Sequence, residues 1–235
     1  MAAQQDGGPH QFVSGHDDGA PATGAGAEPR GPASPAGGIV FAPVNKLSFD
    51  PSPQLGLLFA EGFYEWLHYF SKDKARLGAA FAPAFRLGTF FVAVAPGNRV
   101  VSMVGCPDGE PALVLHRPDF VATLGQLRGR IAYRVLKRHL IDNARYPFPI
   151  EPGMGSIEYV VADPAVRGQG ITGRLIEYVM RQRPYSIYML EVAGTNTRAV
   201  RLYERLGFRE FLRKPAGKRS GVGDFLYFRN DSPPA

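Results

Sequence analysis

Three glycines fix the most about this chain. Val166-Arg167-Gly168-Gln169-Gly170-Ile171-Thr172-Gly173-Arg174-Leu175 sets them at the spacing G-x-G-x-x-G, between the strand-like run 156–164 and an amphipathic helical run in which Ile171, Leu175, Ile176, Val179 and Met180 share one face. A strand that turns through glycines into a helix N-terminus presents successive backbone N–H groups, and such a turn suits a pyrophosphate. Nicotinamide dinucleotides and coenzyme A both carry one.

The dinucleotide reading asks for an acidic residue about 20 positions on, and Glu191 lies 18 positions after Gly173. It also asks for a glycine turn directly after the strand and for several further strand–helix units. Here Asp163 to Arg167 intervene, and only 44 residues follow Glu191, enough for one helix and a hairpin. The loop therefore fits a pyrophosphate better than it fits a whole dinucleotide domain, and coenzyme A carries its own.

The rest of the chain reads as a mixed order. A first strand is predicted at 39–45, and one or two helices over 51–85 with Leu57, Leu58, Phe63, Trp66, Leu67 and Phe70 at helical spacing. A hairpin runs from Thr89 to Gly105 around Pro96-Gly97-Asn98, followed by helix over 119–142 and a Pro/Gly loop over 143–155. After the glycine loop come a helix, a strand at 185–194, and a helix at 196–208 with Gly207 at the left-handed cap. Two strands joined by a basic connection (213–221) close the chain. That connection reads as solvated, or as favouring an acidic acceptor.

Residues 1 to 38, rich in Gly, Ala and Pro, are expected to be a disordered tail, with one folded domain over 39–231. His10 and His16 in the tail read as exposed bystanders, and no metal-ligand cluster is apparent. The single cysteine, Cys106, excludes a disulfide framework and favours a reducing cytoplasm. No apolar run reaches the length of a membrane span, and no secretory leader is visible. The formal charge of +6 suits polyanions. The basic residues are scattered, so a nucleic-acid-binding module ranks last and phosphorylated ligands fit as well.

Arg167-Gly168-Gln169-Gly170-Ile171-Thr172, together with Asn196, Ala199, Leu202, Tyr203, Leu206, Gly207 and Phe208, resembles the two signature segments of the GCN5-related N-acetyltransferase (GNAT) superfamily. The resemblance covers about Ser156 to Phe211. It implies an α+β fold: a mixed, mostly antiparallel sheet flanked by helices, in which two parallel strands splay apart. It implies acetyl-CoA as co-substrate, no metal, and direct transfer of the acetyl group to a primary amine of a small molecule or peptide. The cofactor would be held by the strand backbone at Tyr159, Val160 and Val161, by Arg167, Gly168, Gln169, Gly170, Ile171, Thr172 and Gly173, and by Asn196 and Tyr203. Tyr203 would protonate the leaving thiolate. Glu158, on the face opposite Tyr159, is the candidate base, with Glu191 on the neighbouring strand as competitor. Asn196 also suits a helix N-cap. Tyr64 and Trp66 are candidates to line an acceptor pocket.

Thr172 stands where the family has Gly or Ala; its hydroxyl could donate to a phosphate oxygen. It also keeps a second reading open, a catalytically silent domain that binds coenzyme A as a regulatory or scaffolding ligand. A homodimer is compatible with the chain.

Overall fold

The computed structural model describes residues 38–107, 109, 111–142, 146–216 and 223–231. The expected tail, His10 and His16, and most of the basic connection lie outside the described residues.

The elements run β1 (Val40–Pro43), α1 (Ser52–Gly62), α2 (Tyr64–Leu67), α3 (Lys74–Phe81), β2 (Phe90–Ala95) and β3 (Arg99–Gly105). They continue with α4 (Arg117–Leu124), α5 (Gln126–Lys137), β4 (Met154–Ser156), β5 (Glu158–Ala162), α6 (Ile171–Gln182), β6 (Ile187–Ala193), α7 (Thr197–Arg205), β7 (Arg209–Pro215) and β8 (Asp224–Asn230). The fold is α+β, mostly antiparallel, with β4 and β6 as its parallel pair.

Strand β2 shows why the sheet is covered on both sides. All six of its residues are buried. Phe90, Val92 and Val94 join one core with α1, α3, α4 and α5, while Phe91, Ala93 and Ala95 join a second core with α6 and α7. Period-two alternation thus feeds two helical layers.

The region 51–85 is three helices rather than one or two. Phe63 leaves helical geometry at φ −112°, ψ 19°, and Asp73 restarts the helix by accepting from the N–H groups of Ala75 and Arg76 at 2.9 and 3.2 Å. The break rotates the apolar face. Leu58, Phe63 and Leu67 are buried, whereas Leu57 is 50% exposed. Trp66 and Phe70 pack only at the margin.

The site is positioned by one split strand. Residues 154–156 pair in parallel with β6, ending with the Ile157 N–H donating to the Met189 carbonyl at 2.8 Å. From Glu158 the chain pairs with β3 instead, while β6 pairs with β8. Tyr159 at the changeover takes φ +49°, a left-handed value uncommon for a bulky residue. It forms a bulge that redirects the strand. Beyond it β5 and β6 part, leaving a wedge between them.

Candidate functional site

The glycine loop begins where β5 is anchored. Asp163 accepts from the Ala165 N–H at 2.8 Å and pairs with Arg99 at 2.9 Å. Gly168 and Gly170 follow at φ +79° and +73°, and an added Cβ at either would meet nothing within 4 Å. They are glycines for backbone conformation, and the space before them is open. Gly170 caps α6, and the first N–H to return to its carbonyl is that of Arg174, at 3.1 Å. The N–H groups of Ile171, Thr172 and Gly173 are thus left at the positive end of a 12-residue helix. Gly173 has a different role: a Cβ there would lie 3.3 Å from a Leu202 methyl, so it lets α7 approach.

In front of the loop lies a cavity of about 330 Å³. Of the residues singled out from sequence, Val160, Arg167, Gly168, Gly170, Ile171, Thr172, Gly173, Asn196 and Tyr203 line it; Glu158, Tyr159, Val161, Gln169 and Glu191 do not. Gln169 is exposed and donates to the Ala165 carbonyl at 3.1 Å. Tyr159 and Val161 turn into the core beneath α1. The ladder explains this split. Asp163 donates to the Val101 carbonyl at 2.9 Å on the β3 edge. By alternation, Val161 shares that edge, while Val160 and Ala162 present their backbone groups to the wedge. Gly62, Ala162, Val166, Arg198, Ala199, Leu202 and Arg205 complete the lining. The α7 members recur at helical spacing beside Asn196, a signal readable from sequence. Gly62 carries no such signal. It lies on the far helix α1, where a Cβ would sit 2.7 Å from both Val161 methyls.

Tyr203 is 2% exposed and its ring meets Phe208 edge-on at 6.0 Å. Burial alone pushes its hydroxyl well above the ordinary phenol range, so it keeps its proton at neutral pH. Asn196 caps α7, its Oδ1 accepting from the Ala199 N–H at 3.1 Å. The Arg167 Nε reaches back to the Ala162 carbonyl at 3.4 Å. Left-handed glycines facing open space, a row of outward N–H groups, and Arg167, Arg198 and Arg205 make a cradle that fits the pyrophosphate of coenzyme A.

Outside the cavity lining, at the start of β5, Glu158 is half-buried and accepts from Ser156 Oγ at 2.8 Å. Glu191 is 3% exposed and lies across from Tyr227, whose hydroxyl hydrogen-bonds to it. Tyr159 is held protonated, by burial first and then by the charges of Glu158 and Glu191. Burial still alternates along β5, with Glu158, Val160 and Ala162 less buried than Tyr159 and Val161. Tyr146, Phe148 and Tyr227 form an aromatic shell with ring separations of 5.2 and 5.7 Å, and Trp66 packs on it. Tyr64 is committed elsewhere. Its hydroxyl donates to the Lys72 carbonyl at 3.0 Å, and Lys74 lies over its ring.

Among the described residues, no group of three or more His, Cys, Asp or Glu could hold a metal, and no helix is long and apolar enough to cross a membrane.

Residues 57–208 match the acetyltransferase (GNAT) family. The chain belongs to this family. A mycothiol acetyltransferase of Rhodococcus erythropolis is 38% identical to the GNAT chain over 65 residues, 26% of this chain and 21% of that protein. The match thus spans about a fifth of the relative's length. A Corynebacterium glutamicum structure described as histone acetyltransferase HPA2 and related acetyltransferase superposes with a TM-score of 0.53 at 20% identity, covering 84% of this chain and 97% of that one. It shows the GNAT fold. The Escherichia coli ribosomal-protein-S18-alanine N-acetyltransferase gives a TM-score of 0.46 at 14% identity, over 82% and 92% of the two chains.

Proposed function

We propose that this GNAT chain is an N-acetyltransferase moving the acetyl group of acetyl-CoA directly to a primary amine of a small molecule or peptide. One observation carries the reading: a single cavity joins the left-handed glycine loop, the wedge edge of β5 and the protonated Tyr203.

Bound acetyl-CoA supplies a thioester, whose acyl carbon is open to attack by an amine. Everything else falls to the chain. The N–H groups of Ile171, Thr172 and Gly173 hold the pyrophosphate, with Arg167 beside them. The Val160 and Ala162 backbone groups on the wedge edge of β5 align the pantetheine amides, and an N–H there polarises the thioester carbonyl. Glu158 takes the proton of the incoming amine, directly or through water. It is favoured over Glu191 because it is only half-buried, whereas Glu191 is enclosed. The Tyr203 hydroxyl gives its proton to the departing sulfur. A cytoplasmic home is part of this proposal and fits the single, buried Cys106.

No observation favours catalytic silence, the second reading that Thr172 keeps open in the sequence. The Thr172 hydroxyl is in contact with Ser102 at 3.3 Å. A thiol-release assay with acetyl-CoA and a panel of monoamines, polyamines and peptides tests the proposal. Amine-dependent release with an acetylated product is expected. Tight coenzyme A binding with no release across the panel would favour the silent reading.

A further inference from the structure

Thr172 departs from the glycine or alanine of its family, and its side chain is part of a short hydrogen-bond chain. Ser102, on β3, is fully buried, and its hydroxyl donates to the Val161 carbonyl at 2.8 Å. The same oxygen lies 3.3 Å from Thr172 Oγ1. A hydroxyl has one proton. The carbonyl can only accept, so the Ser102 proton is committed to Val161, and Thr172 must be the donor to Ser102. The chain therefore runs in one direction, from Thr172 through Ser102 to Val161.

Two consequences follow. Thr172 has no hydroxyl proton left for a phosphate oxygen, so its contribution to a pyrophosphate is its backbone N–H. The first turn of α6 is also tied, through a buried side chain, to the strand whose next residue on either side, Val160 or Ala162, faces the wedge. We propose that Ser102 is a positioning residue that sets the register between the pyrophosphate end and the acyl end of the coenzyme A site. The proposal rests on the coenzyme A reading given above.

A ligand spanning both ends should feel the register, and one reaching only the loop should not. The probes are coenzyme A and ADP, whose diphosphate reaches the loop without a pantetheine arm. Calorimetric titration of Ser102→Ala and Thr172→Val is expected to show coenzyme A bound about fivefold to tenfold more weakly, the range of one net hydrogen bond, with ADP affinity within about twofold of wild type. Thr172→Ser keeps the hydroxyl and should restore coenzyme A affinity. The double variant Ser102→Ala/Thr172→Val should be no weaker than either single variant, because both break one chain. Circular dichroism confirms that each variant is folded. Equal losses for ADP and coenzyme A, unchanged coenzyme A affinity, or additive losses in the double variant would overturn the proposal. Wild-type protein that bound neither probe would overturn the coenzyme A reading itself, a separate result.

Discussion

Gly170→Ala separates folding from binding. Gly170 sits at φ +73° with nothing within 4 Å of an added Cβ, so the substitution costs backbone strain and no clash. That strain is about 1–2 kcal/mol for an L-residue in the left-handed region. Stiffening the unfolded chain returns about 0.4–1 kcal/mol, leaving a net loss near 1 kcal/mol. For a domain of this size, 1 kcal/mol moves Tm by about 2–4 °C. Gly97, in the β2–β3 turn, provides the matched control: φ +76°, again with open space, remote from the cavity. Thermal unfolding is measured with and without coenzyme A at a hundred times its Kd, which adds about 2.7 kcal/mol to a protein that binds it. Gly97→Ala should lose its few degrees and keep the full ligand shift of about 5–10 °C. Gly170→Ala should lose a similar few degrees and most of the ligand shift, because its methyl group occupies the space the pyrophosphate needs. Equal ligand shifts in the two variants would refute the assignment of the loop.

Three further outcomes are expected. Tyr203→Phe should lower turnover by ~10²-fold while coenzyme A affinity stays within about twofold, checked by steady-state kinetics beside calorimetry. The hydroxyls of Tyr188, Tyr203 and Tyr227 are all raised by burial, so the folded chain keeps protons that the unfolded chain loses above about pH 10. Their stabilising contribution is whole below that pH and falls as pH rises, by at most about 1.4 kcal/mol per unit for each tyrosine. Tyrosinate absorbance for these groups should appear together with loss of the far-ultraviolet dichroism; titration ahead of unfolding would contradict their burial. Gly62→Ala drives a Cβ to 2.7 Å from both Val161 methyls and should cost about 1–3 kcal/mol in a denaturant titration. Val161→Ala in the same chain should recover part of that loss.

What was legible in the sequence was local chemistry. Glycines at positive φ, an Asn at a helix start and a Gly after its end each answer to one backbone requirement, and Gly168, Gly170, Asn196 and Gly207 take those conformations. The hairpin around Gly97 and Asn98 was readable for the same reason. Less legible was anything set by a distant partner. Phe63 is no helix breaker, yet the helix ends there, with its ring against Tyr159 of β5. Tyr159 is no turn residue, and its bulge is held by the change of pairing partner from β6 to β3. That bulge, in turn, sends Val160 and Ala162 to the cavity and Tyr159 and Val161 away from it. Gly62 reaches the cavity from a helix a hundred residues upstream in the chain, where an apolar pattern predicts only core. The sequence alone lets the Thr172 hydroxyl reach a phosphate, whereas in the fold it lies against Ser102, seventy positions earlier.

Whether the loop and wedge hold coenzyme A is decided by calorimetric titration of the wild-type chain with acetyl-CoA, coenzyme A and NAD. Both coenzyme A species should bind at one site per chain and more tightly than NAD, which shares only their adenosine diphosphate part. Binding of NAD alone, or of none of the three, would mean that the cavity is not a coenzyme A site.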